Sequence, residues 1–246
     1  KNTKEFIIVA HDVTQLRRFD SMRRDFISNL SHELRTPVSV IRANSETLID
    51  GALEDKKQAK IFAKAILHNS ERLSDMVSSL LDLTRIEYGE LKLNFQNINL
   101  NEFIENFILS ISNLSKKKNI NIQYKPSHIG DINADPQAIE RILNNLVDNA
   151  IKYSKEDSQI VISTSNDSDD HIKVMVEDNG PGISDEDQDY IFGRFFRTAS
   201  ARATDNQGSG LGLAIVKHLV NSLNGEVGID SAPGKGSVFW FTIPKL

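Results

Sequence analysis

The stretch ISNLSHELRTPVSVIRANSETL, residues 27–48, decides the first half of the fold. Ile27, Leu30, Leu34, Val38, Ile41, Ser45 and Leu48 recur every three or four residues, the spacing that stacks side chains on one stripe of an α-helix. A helix over 16–48 is predicted, its apolar seam interrupted by one polar position. Asp50-Gly51 breaks it. A second helix begins near 53–56, where Phe62, Ile66, Asn69, Leu73, Met76, Leu80 and Leu83 alternate by four and three, a heptad seam. An antiparallel hairpin of two such helices leaves both seams open. Either a second copy covers them in a dimeric four-helix bundle, or the downstream part of the same chain does.

His32 sits in the first stretch, two residues from both Leu30 and Leu34. At roughly 100° per residue this turns it about 200° from the seam, toward solvent. A neutral imidazole is a competent nucleophile near neutral pH, and Glu33 beside it can hold or accept the proton of the other ring nitrogen. Thr36 follows one turn later on the same side, with a hydroxyl able to orient a water. Pro37 removes a helical hydrogen bond and is expected to kink the helix just past the site. Taken alone, His32 reads more readily as an ordinary surface histidine on a helix than as a phosphate acceptor. His11, His68, His128, His171 and His218 belong to no comparable constellation.

Composition narrows what the site can be. The chain has 246 residues, 39% of them hydrophobic, and a mean hydropathy of -0.33, enough for two folded units. No apolar run approaches the roughly 20 residues that span a bilayer. The chain begins at Lys1 with no signal-peptide pattern, so a soluble piece of a longer protein is expected. Cysteine is absent, which excludes disulfides, thiolate catalysis and cysteine metal sites together. The net charge is -5, and residues 1–90 carry 14 basic and 14 acidic side chains against 15 and 20 in the remainder. All the excess acid is in the second part, which argues against a nucleic-acid-binding face.

After Tyr88-Gly89 the texture changes to short β-rich runs alternating with helices, which puts a domain boundary near 89–94. Strands are predicted at 91–95, 120–124, 131–134, 159–165, 171–177, 225–231 and 237–243, and helices at 100–116, 136–153 and 211–223. The polar NDSDD, 166–170, is a hairpin turn. This order implies a mixed sheet with helices on one face, an α+β layer. The opening EFIIVAHDV, 5–13, reads as the last strand of an upstream domain.

Four clusters in this second part suit a polyphosphate ligand. On the helix from Pro136, Asn145 and Asn149 share a face and Lys152 follows; two carboxamides and an amine so placed can hold a hydrated Mg²⁺ and phosphate oxygens. Glu177-Asp178-Asn179-Gly180-Pro181-Gly182 ends an apolar strand, where Asp178 can accept from an exocyclic amine and the glycines admit a ligand closely. Gly208-Ser209-Gly210-Leu211-Gly212-Leu213 opens a helix whose free amides attract phosphate. Between these lie Phe192, Phe195 and Phe196 with Arg194, Arg197 and Arg202, three of the four arginines after residue 90. Such a loop reads as a lid over the phosphates, mobile across the small, polar 199–208. Gly234-Lys235-Gly236-Ser237 reads as a hairpin turn.

In order, HELRTP, NNLVDNAIKYS, EDNGPGI, IFGRFFR and GSGLGLAI resemble the histidine, asparagine, first glycine, phenylalanine and second glycine boxes of bacterial two-component sensor histidine kinases. The resemblance covers about 15–246, and the run DVTQLRRFDSMRRDFISNLSHELRTPVSVI is similar to phosphate-regulon and cell-wall sensor kinases in which a PAS domain precedes the dimerisation helices. It implies three parts: a PAS-like remnant and linker at 1–14, a dimerisation and histidine-phosphotransfer hairpin at 15–90, and at 91–246 an α+β ATP-binding sandwich of the GHKL or Bergerat type, shared with gyrase and MutL.

The resemblance also implies roles. ATP phosphorylates His32, with Glu33 as acid/base partner, and the phosphoryl group passes to an aspartate on a response regulator docked near His32. Thr36 matches the phosphatase residue. Asn145, with the phosphates and water, and Asn149 serve Mg²⁺ and phosphates, Lys152 and Tyr153 the nucleotide, and Asp178 the adenine amine beside Gly180, Gly182 and Ile183. Phe195 in the lid belongs to the ATP-binding set, Arg197 reaches the γ-phosphate, and Gly208, Ser209, Gly210, Leu211, Gly212 and Leu213 frame the triphosphate. Gyrase-type ATPases carry a water-activating glutamate where this helix offers Asn145, so hydrolysis is expected to be poor and transfer to histidine favoured. The implied whole is a homodimer through 15–90, the cytoplasmic portion of a membrane-anchored receptor. A nucleotide-set signalling scaffold and a DNA-linked ATPase are the alternatives.

Overall fold

A computed structural model of the chain describes residues 14–87, 92–116, 119–168, 170–198, 201 and 210–246. They form two compact units, 1–71 and 72–246. The strand expected at 5–13 and most of the lid expected at 199–208 lie outside the described residues.

Helix α1, Thr14–Ile49, and helix α2, Lys56–Glu87, are joined by a single 3₁₀ turn, Ala52–Glu54. Gly51 takes φ 127 at that corner, a conformation β-carbon-bearing residues avoid. Asp55 caps the second helix by accepting from the Lys57 amide at 2.8 Å. The helix α1 runs unbroken through Pro37, which is buried and contributes no amide to the ladder. Its Ser31, Thr36, Ser45 and Thr47 hydroxyls each donate to the carbonyl one turn back. Most seam residues of both helices are only half-buried in the single chain, and Ile27 and Val38 are exposed, as the sequence requires of seams that need a further partner.

The second unit is built on a five-stranded mixed sheet. Strands β1, Gln96–Ile98, and β3, Ile132–Ala134, pair antiparallel apart from it. Strands β2, Asn121–Lys125, β4, Gln159–Asn166, β5, His171–Asp178, β6, Val227–Ser231, and β7, Ser237–Pro244, run in the order β2-β4-β5-β7-β6, with only the β2 to β4 pair parallel. Helices α3, Leu100–Lys116, and α4, Pro136–Tyr153, precede the central strands. The short α5, Asp185–Gln188, and α6, Gly212–Ser222, precede the last two.

The alternation along the strands sets the layer. Ile172, Val174 and Val176 of β5 lie opposite Ile243, Phe241 and Phe239 of β7, all buried beneath α4 and α6. Ile139, Ile142, Leu143, Leu146, Val147 and Ala150 give α4 the matching apolar stripe. The other sheet face is half open, and there Lys173 Nζ stands 4.0 Å above the Trp240 ring.

One predicted strand is displaced. Residues 92–95 have no regular structure, and the pairing falls at Gln96–Ile98, because Ile98 opposite Ile132 is the buried pair while Phe95 is exposed. The apolar alternation from Leu91 to Phe95 imitated a strand whose partner is not there.

Asp135 starts α4. Its Oδ1 accepts from the Gln137 amide at 2.8 Å and the Ala138 amide at 3.2 Å, and its Oδ2 from the Asn94 amide at 2.7 Å. With Pro136 at the first helical position this is a complete N-cap, 7% exposed. Asp135→Ala removes three amide bonds made by a buried carboxylate and is expected to destabilise this unit by about 2 kcal/mol, read as a lower urea midpoint at unchanged slope.

Candidate functional site

The helix α4 carries the asparagine cluster toward its C-terminal end. Asn145 and Asn149 are half-buried along the edge of the stripe formed by Ile142, Leu146 and Ala150. Asn145 Nδ2 donates to the Arg141 carbonyl at 2.8 Å, which leaves Oδ1 as its acceptor. That oxygen lies against the first residue of α6: a β-carbon at Gly212 would stand 2.7 Å from it. Glycine there lets the amide end of α6 approach the carboxamide directly, and a helix N-terminus beside a polar helix face is an anion site. Leu211 is buried, and Leu213 is half-buried on the first turn of α6.

Gly210 ties this helix start to the phenylalanine cluster. It takes φ 69, its carbonyl accepts from the Phe195 amide at 2.8 Å, and a β-carbon there would meet the Phe195 backbone at 2.8 Å. Phe195 is 9% exposed and itself takes φ 58, while Tyr190 and Phe196 stand with ring centroids 6.0 Å apart. Arg197 donates to the Ala201 carbonyl. Gly208 and Ser209, expected beside Gly210, lie outside the described residues, as does Arg202.

On the other side of α4, Asp178 ends β5 with 5% exposure. Burial pushes its carboxyl above the ordinary aspartate range; amides of Gly180 and Ser237 oppose that shift and the neighbouring Glu177 adds to it. The Gly180 amide donates to Oδ1 at 2.7 Å. A β-carbon at Gly180 would lie 3.2 Å from the Tyr153 carbonyl, so the glycine turn packs on the end of α4. Half-buried Lys152 pairs with Asp148 at 2.6 Å one turn back.

Three clusters far apart in sequence therefore meet around one helix: Asn145 with Gly212, Gly210 with Phe195, and Tyr153 with Gly180. His32 belongs to the other unit, where it is exposed, and the Thr36 hydroxyl donates to its carbonyl at 3.3 Å. Glu33 is half-buried and Thr36 exposed.

The donor set suits magnesium in a specific way. Among the described residues no group of three His, Cys, Asp or Glu side chains could hold a metal. Asn145 Oδ1 offers one hard neutral oxygen at the helix start, fitting an ion held mainly by phosphates and water.

Several residues escaped the sequence reading. Ser237, 6% exposed, faces Asp178 in the β5 to β7 register, and Ser231 and Gln188 bond the glycine turn. A serine directly after Gly-Lys-Gly and before an apolar strand was the available signal. Asp82, near the end of α2, pairs with Arg141 on α4, a contact no local pattern announces.

Residues 22–89 match the family described as His Kinase A (phospho-acceptor) domain. Residues 134–246 match the one described as Histidine kinase-, DNA gyrase B-, and HSP90-like ATPase. The chain is 34% identical over 240 residues to the sensor histidine kinase WalK of Bacillus subtilis, covering 97% of this chain and 39% of that protein. It therefore spans well under half of that relative's length. The catalytic domain of histidine kinase ThkA superposes with a TM-score of 0.54 at 31% identity, covering 62% of this chain and 97% of that structure. ThkA in complex with the response regulator protein TrrA gives 0.75 at 26% identity, covering 96% and 65%. Among the described residues no helix is long and apolar enough to cross a membrane.

Proposed function

The chain belongs to the sensor histidine kinases, and from that premise we propose that it transfers the γ-phosphoryl group of ATP to His32 and then to an aspartate of a response regulator. The observation that carries the proposal is the convergence of Asn145, Asp178, Gly210 and Gly212 around α4, in a chain that also offers an exposed histidine beside a carboxylate.

In this reading 15–90 is the dimerisation and phosphotransfer domain and 91–246 the ATP-binding domain. Asp178 accepts from the adenine amine, Gly180, Gly182, Ile183 and Tyr153 shape the base pocket, and Lys152 turns from Asp148 toward the nucleotide. Asn145 and Asn149 take magnesium and the phosphates. The second glycine segment, with Gly208, Ser209, Gly210, Leu211, Gly212 and Leu213, wraps the triphosphate under Phe195. Arg197 exchanges the Ala201 carbonyl for the γ-phosphate. Bound magnesium would neutralise charge on the phosphates. The residues of this chain orient the phosphorus and shield it from water, and the absence of a carboxylate at Asn145 withholds a base for hydrolysis.

The imidazole nitrogen of His32 attacks the γ-phosphorus, the bond to the β,γ-bridging oxygen breaks, and ADP departs. Glu33 holds the proton on the other ring nitrogen. A second copy joins through the hairpin, whose half-buried seams favour it, and the regulator docks on α1 near His32. The likeness to the ThkA and TrrA complex supports that partner. The full protein is proposed to be a membrane-anchored receptor with this part in the cytoplasm.

Thr36 extends the proposal to dephosphorylation. Its proton is donated to the His32 carbonyl, so its oxygen lone pairs are turned outward to accept from a water beside a docked aspartyl phosphate. Thr36→Ala is expected to slow hydrolysis of the phosphorylated regulator by about tenfold or more while autophosphorylation stays within about threefold. Following both with labelled phosphate decides it: equal loss of the two activities assigns Thr36 to helix geometry alone.

A further inference from the structure

The turn between β6 and β7 is fastened to the glycine turn after Asp178 by side chains that the site assignment leaves unused. Ser231 Oγ accepts from the Ile183 amide at 2.9 Å, donates to the Gly236 carbonyl at 2.8 Å, and stands 3.0 Å from Ser237 Oγ. Gln188 on α5 reaches with Nε2 to the Ser231 carbonyl at 2.9 Å, the Ile183 carbonyl at 3.2 Å and Asp185 Oδ1 at 3.2 Å. The Gly234 amide donates to the Pro181 carbonyl at 2.6 Å. The two loops are so close that a β-carbon at Gly182 would fall 1.9 Å from the Ala232 carbonyl oxygen, and one at Gly236 2.0 Å from that of Asp178.

Asp178 lies where these loops join, taking amide donors from Gly180 on one and Ser237 on the other. We propose that Ser231 and Gln188 are positioning residues for nucleotide-base recognition: they clamp the two loops and so hold the Asp178 carboxylate for an adenine amine. Neither is among the residues assigned to the phosphates, so the clamp sets affinity and base choice and leaves the transfer step alone. A hydroxyl that both accepts from one loop and donates to the other has no apolar substitute. The carboxamide of Gln188 is equally specific, since a carboxylate there would face two carbonyl oxygens. The inference rests on the nucleotide reading of Asp178 given above.

The test uses the whole chain and measures ATP and GTP dissociation constants, with histidine phosphorylation at saturating ATP. Ser231→Ala is expected to weaken ATP binding about tenfold, leave GTP binding unchanged and keep maximal phosphorylation within about twofold, with Ser231→Thr restoring ATP affinity. Unchanged ATP affinity, or equal losses for ATP and GTP, overturns the clamp. Should Ser231→Ala not fold, Gln188→Glu is judged by the same criteria. A parent chain that does not prefer ATP to GTP refutes the reading of Asp178 itself; a parent that does, with unaffected variants, refutes only the positioning role.

Discussion

His32→Gln is expected to abolish acid-labile, alkali-stable labelling from γ-labelled ATP, a loss on the order of 10³-fold or more, as removal of a nucleophile produces. The variant keeps a planar polar side chain of similar length but has no ring nitrogen to form the phosphoramidate. His32 is exposed on α1 and lies in a different compact unit from the nucleotide cluster. ATP affinity is therefore expected to stay within about twofold, since no cleft residue changes. Label that persists in the variant would move the acceptor elsewhere. The exposed alternatives among the described histidines are His68 and His128, and neither has an adjacent carboxylate. Loss of label together with loss of ATP binding would mean that the substitution disturbed the fold, and the reading of His32 as acceptor would lose its support.

What could be read from the sequence was whatever local periodicity and order encode. The seams of α1 and α2 and the stripe of α4 appear as spacing, because a helix repeats its buried side every three or four residues. Helices α3 and α4 match the predicted spans, and both starts are local: the Glu102 amide donates to Asn99 Oδ1 at 3.1 Å, as Asp135 takes the first amides of α4. The strand near 91–95 was misplaced because β-propensity says nothing about a partner, and only Ile98 finds a buried one in Ile132. The site divides the same way. Asp178 was legible as an acid at the end of an apolar strand. Ser231 and Gln188 were not, since their value comes from loops that are distant in sequence and brought together by the β6 to β7 hairpin. The link from Asp82 to Arg141 was invisible for the same reason, being set by how the end of α2 meets α4.

Asp178→Asn carries the other large effect, a loss of ATP affinity of about 10²-fold at neutral pH, the scale of a buried hydrogen bond to a charged acceptor. The carboxylate can take the adenine amine and its own amide donors at once, whereas an asparagine has one acceptor oxygen to share and presents an NH₂ group to any remaining donor. The pH dependence is a sharper test. Burial raises the Asp178 carboxyl above the aspartate range, so the folded state holds its proton more tightly than the unfolded chain does. The stability this gives is fully present below the unfolded value and is lost as pH rises through the folded one. The adenine amine binds the ionised form, so nucleotide binding lowers the raised value. ATP affinity of the parent is then expected to fall on acidification above the range where exposed carboxylates titrate. Asp178→Asn should lack that limb. Titration of ATP affinity against pH in both proteins separates the cases. An acid limb that survives the substitution would place the base-binding carboxylate elsewhere, and an unchanged affinity would remove Asp178 from the site.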